Sequence, residues 1–231
     1  VMKDLPVESK AFAYQFCDIR GLPTEADNQS GRYKKLFAGT QQVFLDGLKV
    51  KLPDWASFTG KSGDLTLRFL RRDEPQGMFL GRLSKCCQEP ENWAASCAYD
   101  GHLNPNAAFA VIEGPEGLVF QSYVWADEDG NVCFDSIESP MYDFRSKYHN
   151  DGQQLLKDFA DSLPSGKICT VGNNSFSFNS ANKKLSNPTE TNKILYVAQL
   201  LYDFCPANSS SLYTADSHSQ YSVGVGKKES S

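Results

Sequence analysis

Histidine is scarce in this chain: three residues in 231, namely His102, His149 and His218. Each falls in a segment read as a loop, and none belongs to an HExxH pair, so a metalloprotease helix is excluded. GxGxxG, Walker A and GxSxG strings are absent as well. That removes a dinucleotide-binding turn, a phosphate-cradling P-loop and a hydrolase nucleophile elbow. Apolar runs are short. The longest, such as Ala107–Ile112, fall far short of the roughly 20 residues of a membrane span, so no membrane partner is expected. No basic-plus-apolar leader opens the sequence, and no secretory signal is expected. Positive charge is not in excess: 23 Lys+Arg against 28 Asp+Glu give −5. That argues against a nucleic-acid partner, whose phosphates are met by surplus Lys and Arg.

What remains is ordinary globular material, 40% hydrophobic and 22% charged over 231 residues. This is enough chain for a core without disulfide staples. The seven cysteines are odd in number, which with the missing leader reads as reduced, intracellular and cytoplasmic. Cys133 and Cys169 lie in apolar runs and read as small core residues. Cys86, Cys87, Cys97 and His102 form a tighter group. Their spacing is a poor match to the paired ligands of a zinc site, so no metal is expected.

The charge is uneven. Residues 1–115 hold 14 basic and 14 acidic side chains, whereas residues 116–231 hold 9 and 14. Nine acids and three bases lie between Asp127 and Asp161. The plain reading is a solvated acidic face. The sharper one is a cleft whose field gathers a cationic substrate such as an amine.

Periodicity divides the chain. Lys10–Arg20 reads as a short helix or strand, and Gln41–Leu52 alternates around Gly47, which suits a hairpin. Asp64–Arg71 alternates as a strand. Asn106–Ile112, Leu118–Ala126 and Val132–Ile137 are apolar or aromatic runs separated by the turns Gly114–Gly117 and Asp127–Asn131, which predicts an antiparallel meander. Met141–Asp151 reads as a polar loop. Gln153–Leu163 carries apolar residues at helical spacing. Lys167–Val171 reads as a strand, Gly172–Pro188 as a loop, Thr191–Phe204 as a second helix and Tyr221–Val225 as a last strand. The expected fold class is α/β (α+β): a mixed, mostly antiparallel twisted sheet flanked by helices. The expected division is an N-terminal elaboration (1–60), a core (61–226) and a short tail (227–231).

One stretch concentrates candidate chemistry. The strand ending Asp135-Ser136-Ile137-Glu138 is followed by a loop with Arg145, Lys147 and His149, then a helix starting near Gly152. A strand end facing a helix N-terminus offers unsatisfied N–H groups to an anion such as pyrophosphate, and basic side chains strengthen the contact.

The succession QSYVWADEDGNVCFDSIE, basic loop, helix, KICTVG strand and second helix resembles the core of the GNAT superfamily of acyl-CoA-dependent N-acyltransferases, over about residues 106–226. The resemblance implies acetyl-CoA or another acyl-CoA as cofactor and a small-molecule or protein amine as partner. It implies pantetheine contacts at Ser136, Ile137 and Glu138, and a pyrophosphate loop from Arg145 to Gly152 that includes Lys147 and His149. It also implies a role for Asn192 near the start of the second helix. The family's usual loop reads Gln/Arg-x-x-Gly-x-Gly/Ala, and only Arg145 and Gly152 echo it. In such chemistry a carboxylate takes the proton of the attacking amine, for which Glu138 and Asp135 are the candidates. A tyrosine protonates the leaving thiolate: Tyr202 first, Tyr213 second.

Two alternatives stand beside this. One is a cysteine-centred hydrolase or transferase with Cys86 or Cys87 as nucleophile, His102 or His218 as base and Asp216 or Asp135 as orienter. The other is a GNAT-like module that binds without catalysis.

Overall fold

A computed structural model of the chain describes residues 6–20, 31–90, 92, 94–141, 143–172 and 221–225. The expected loop over 173–188, the second helix over 191–204 and the tail lie outside these, as do Asn192, Tyr202, Tyr213, Asp216 and His218. The described residues fall into two compact units. A helical unit draws on residues within Val1–Lys51 and Arg71–Pro105, and a sheet unit on residues within Leu52–Leu70, Asn106–Pro188 and Ala215–Ser231.

The helical unit holds α1 (Val7–Arg20), α2 (Gly31–Gly47), a 3-10 turn (Pro75–Phe79) that leads into α3 (Leu80–Ser84), and α4 (Ala95–Leu103). α2 replaces the hairpin expected over Gln41–Leu52. Leu36, Thr40, Val43, Phe44 and Gly47 are buried, a helical i, i+4, i+7, i+8, i+11 stripe that a window opening at residue 41 cuts in half. Phe12 is the hub of the core, with its ring 5.4 Å from Phe44 and 5.6 Å from Phe79.

The sheet unit carries seven strands in sequence order: β1 (Gly60–Ser62), β2 (Leu65–Phe69), β3 (Ala107–Gly114), β4 (Gly117–Ala126), β5 (Val132–Phe134), β6 (Ile168–Gly172) and β7 (Tyr221–Val225). The class is mixed α/β, and the sheet is antiparallel throughout except for the β5–β6 pair, which is parallel. A parallel pair needs a crossover, supplied by α6 (His149–Ser162) after the short α5 (Phe144–Lys147). The expected polar loop over 141–151 is therefore partly helical.

Apolar residues at Leu155, Leu156, Phe159, Ala160 and Leu163 make one face of α6. That face covers the inward positions of the sheet: Leu65, Leu67 and Phe69, then Ala108, Ala110 and Ile112, then Phe120 and Val124, and finally Val132, Phe134, Cys169 and Val171. Phe159 is central, with Phe58, Phe69 and Phe134 rings at 5.4, 5.4 and 5.2 Å. By alternation the opposite face presents Phe109, Gln121, Tyr123, Trp125, Cys133 and Thr170, all buried.

Candidate functional site

The sheet departs from regularity where β5 ends. Val124 pairs with Phe134, and Gln121 pairs with Glu138 through an isolated bridge. Three steps along β4 are thus matched by four along the partner, the signature of a β-bulge with one extra residue. Hydrogen bonds fix both sides of it. Asp135 N–H donates to the Tyr123 carbonyl at 2.9 Å, and Gln121 and Glu138 exchange N–H···O bonds at 2.9 Å each. The Ser122 hydroxyl donates to the Asp135 carbonyl at 3.0 Å.

The extra residue changes which side chains share a face. Phe134 and Ile137 both belong to the core under α6, although they are three apart. Asp135 and Glu138 therefore share the opposite face, with Gln121, Tyr123 and Trp125. Asp135 is fully buried at 0% exposure, while Ser136 and Glu138 are half-buried. Gly172, at the end of β6, lies close against this point. A Cβ there would sit 2.8 Å from the Ser136 Cα and 2.9 Å from its N, so only glycine lets the two backbones approach this closely.

Beyond Glu138 the chain turns into α5 and α6. Lys147 lies in α5 and pairs with Glu116 at 3.3 Å, with its ammonium 5.0 Å from the Tyr148 ring centre. Hydrogen bonds to Tyr148 and then to Glu116 push its pKa upward. His149 opens α6 and is exposed, and Gly152 in the first turn is buried. Asp151 in the same turn accepts a hydrogen bond from the Ser62 hydroxyl at 2.9 Å, a carboxylate placed where the helix dipole favours negative charge. Arg145 lies in α5.

The strand delivers Asp135, Ser136, Ile137 and Glu138 to one interruption of the ladder, and Lys147, His149 and Gly152 follow on the crossover. Sequence reasoning missed Gln121, Ser122 and Gly172, which bracket that interruption. A signal exists for the bulge: in VCFDSI the apolar residues fall at 132, 134 and then 137, a step of three in an alternating strand.

The thiol group lies in the helical unit. Cys86 is buried in the turn after α3, its N–H bonded to the Gly81 carbonyl at 2.7 Å. Cys87 is half-buried and Cys97 fully buried. Gly81 itself meets the Gln88 carbonyl, which would lie 2.6 Å from an added Cβ. Cys133 and Cys169 are buried, as expected of core residues. Burial pushes the Cys169 thiol far upward, and that of Cys17 likewise upward.

His102 is not in a loop. It sits in α4 with 1% exposure, and burial, then the nearby Arg72 guanidinium, push its pKa down to about 3. Such an imidazole is a poor acceptor for a thiol proton near neutral pH. Arg72, 7% exposed, donates to the Gly101 carbonyl and, at 2.8 Å, to the Asn104 carbonyl. It thereby caps the C-terminal end of α4. Desolvation lowers its pKa to about 10 against the opposing pull of Asp100.

Among the described residues no three His, Cys, Asp or Glu side chains are placed to hold a metal ion. No helix there is long and apolar enough to cross a membrane. Compared with known proteins, the chain matches no family model, no curated protein and no solved structure.

Proposed function

We propose that the sheet unit transfers an acyl group from acyl-CoA to an amine, in the manner of GNAT enzymes. The observation that carries this reading is the extra residue between Phe134 and Glu138, on the strand that feeds the parallel crossover. A bulge there interrupts the ladder, and an extended pantetheine arm can lie along Ser136 and Ile137. The thioester supplies an acyl carbon open to attack by a neutral amine.

Glu138 takes the amine proton as the N–C bond forms and the C–S bond breaks. It is preferred to Asp135 because Asp135 is fully buried whereas Glu138 is half-buried. The Ser136 backbone N–H stabilises the developing oxyanion, and Tyr202 returns a proton to the thiolate. Arg145, Lys147, His149 and the first turn of α6 at Gly152 receive the pyrophosphate, and Asn192 contributes to cofactor binding.

A second reading, binding without catalysis, draws support from two contacts. Lys147 is engaged by Glu116 and Asp151 by Ser62, so two charges near the α6 N-terminus are already committed. Turnover separates the readings. Glu138→Gln is expected to lower kcat by about 10²–10⁴ while acetyl-CoA still raises the melting temperature. Unchanged turnover removes Glu138 as the base. No thermal shift with any acyl-CoA or with CoA sinks the acyl-transfer reading.

A further inference from the structure

Cys86 and Cys87 take no part in the acyl-transfer reading. They lie in the helical unit, outside any helix, in the turn that follows α3. That turn is clamped at both ends to one residue. On one side the Cys86 N–H donates to the Gly81 carbonyl at 2.7 Å, the long bond of a Schellman helix ending. On the other, the Gln88 carbonyl carbon and oxygen lie 2.6 Å from where a Gly81 Cβ would stand. The chain doubles back between Cys86 and Gln88, and it bends at Cys87. Lys85, which enters the turn, is the only non-glycine among the described residues with positive φ, at 57°. Such a backbone persists only where its surroundings hold it. In an extended chain, neighbouring side chains point to opposite sides; a bend lessens that divergence. Both residues are thiols. Cys87 is half-buried, whereas every other described cysteine is buried, so a reagent in solution meets Cys87 first.

We infer that Cys86 and Cys87 form a reversible redox site, which closes to a disulfide between adjacent residues by exchange with a small-molecule disulfide such as oxidised glutathione. The Cys87 thiolate attacks one glutathione sulfur and expels the other glutathione as a thiolate. The Cys86 thiolate then attacks the Cys87 sulfur of that mixed disulfide and expels the second glutathione. Two protein thiols are oxidised and one disulfide is reduced to two glutathione thiols, whose protons come from the two cysteines. Neighbouring Cα atoms lie about 3.8 Å apart across a trans peptide, closer than the roughly 4.4–6.8 Å of ordinary disulfides. The ring is therefore strained and easily reduced, which suits a site that reopens when reduced glutathione returns. Closing it works against the Gly81 clamp, so the reaction is felt at the end of α3. The inference stands apart from acyl transfer and survives its failure.

The test uses the full chain, equilibrated with glutathione at rising proportions of the oxidised form, then quenched, unfolded and alkylated. Mass spectrometry is expected to show two of the seven cysteines protected from alkylation with no glutathione retained, and all seven alkylated after dithiothreitol. Peptide mapping should place the protected pair at Cys86 and Cys87. Cys86→Ser should instead trap one glutathione on Cys87, because the resolving thiol is gone. Cys87→Ser, at the half-buried position, should abolish the two-thiol loss, and it serves as the test if Cys86→Ser fails to fold. A wild-type chain that retains a glutathione on Cys87, closes a different pair, or keeps all seven thiols at every ratio overturns the inference. So does a two-thiol loss that survives Cys87→Ser.

Discussion

The helical unit buries a guanidinium, a carboxylate and an imidazole together at Arg72, Asp100 and His102, whereas the apolar cluster between the sheet and α6 is hydrocarbon with a single thiol, Cys169, and the Ser122 hydroxyl lies at its edge. The contrast follows from how each unit satisfies its backbone. A sheet pairs its N–H and C=O groups with neighbouring strands, so its core side chains need only fill volume. A short helix such as α4 leaves its last carbonyls unpaired, and Arg72 meets that need with directed bonds. Under α6 burial is governed by shape, and at the end of α4 by bonds that require a particular partner and charge state.

The sharpest way to test the comparison is to remove one central group from each unit. Phe159→Ala should cost about 3–5 kcal/mol through the cavity it leaves. Arg72→Ala should cost about 2–5 kcal/mol, but by stranding the Gly101 and Asn104 carbonyls and removing the positive charge near Asp100. Urea unfolding measures both. Adding a hydrophobe of Arg72's length should restore little, because the stranded groups remain; full rescue by Arg72→Met would break the contrast.

Acid should expose the same difference. His102 releases its proton at about 3 when folded and at about 6.5 when unfolded. Between those values the unfolded chain holds more protons, so this stability is complete above pH 6.5 and drains away as pH falls toward 3. Hydrogen exchange, corrected for intrinsic rates, should lose protection in α4 at pH 5 before it does in β3 and β4. His102→Leu should flatten that pH dependence, and an unchanged slope would remove His102 as its source.

A smaller effect is expected at Gly172. Gly172→Ala forces the backbones of β6 and Ser136 apart, at about 1–3 kcal/mol, and should weaken CoA binding more than Gly166→Ala, whose cost comes from a left-handed φ of +79° and not from a clash. Comparable CoA affinities in the two variants would disconnect the bulge from the cofactor. Smallest of all, Lys147→Ala should leave the urea midpoint where it is, since both partners of its ion pair are exposed. If Lys147 contacts the pyrophosphate, the same change weakens CoA binding without touching stability.

Much of the sheet is legible in the residues. Alternation in Asp64–Arg71 and the turns Gly114–Gly117 and Asp127–Asn131 place β2 to β4 within a residue or two, and β5 at its start but three residues too long at its end, because strand periodicity and turn chemistry are local. α2 is hidden because Val43 and Leu45 alternate over a span too short to reveal the stripe that begins at Leu36. His102 looks like a loop residue beside Gly101 and Asn104, yet Arg72, thirty positions earlier, holds it in a helix. Of the candidate site, the residue types at Asp135–Glu138 can be read directly. The face each one occupies depends on pairing with β4, which no single strand encodes.

The bulge has a consequence for how the chain tolerates change. Before Asp135 the strand is written in one reading frame of inward and outward residues, and after Ser136 in the other. Removing one residue between them would act on the protein as a frameshift acts on a gene. Ile137 would be thrown out of the core and Glu138 turned into it. At this site the number of residues carries information that the identity of any one of them does not.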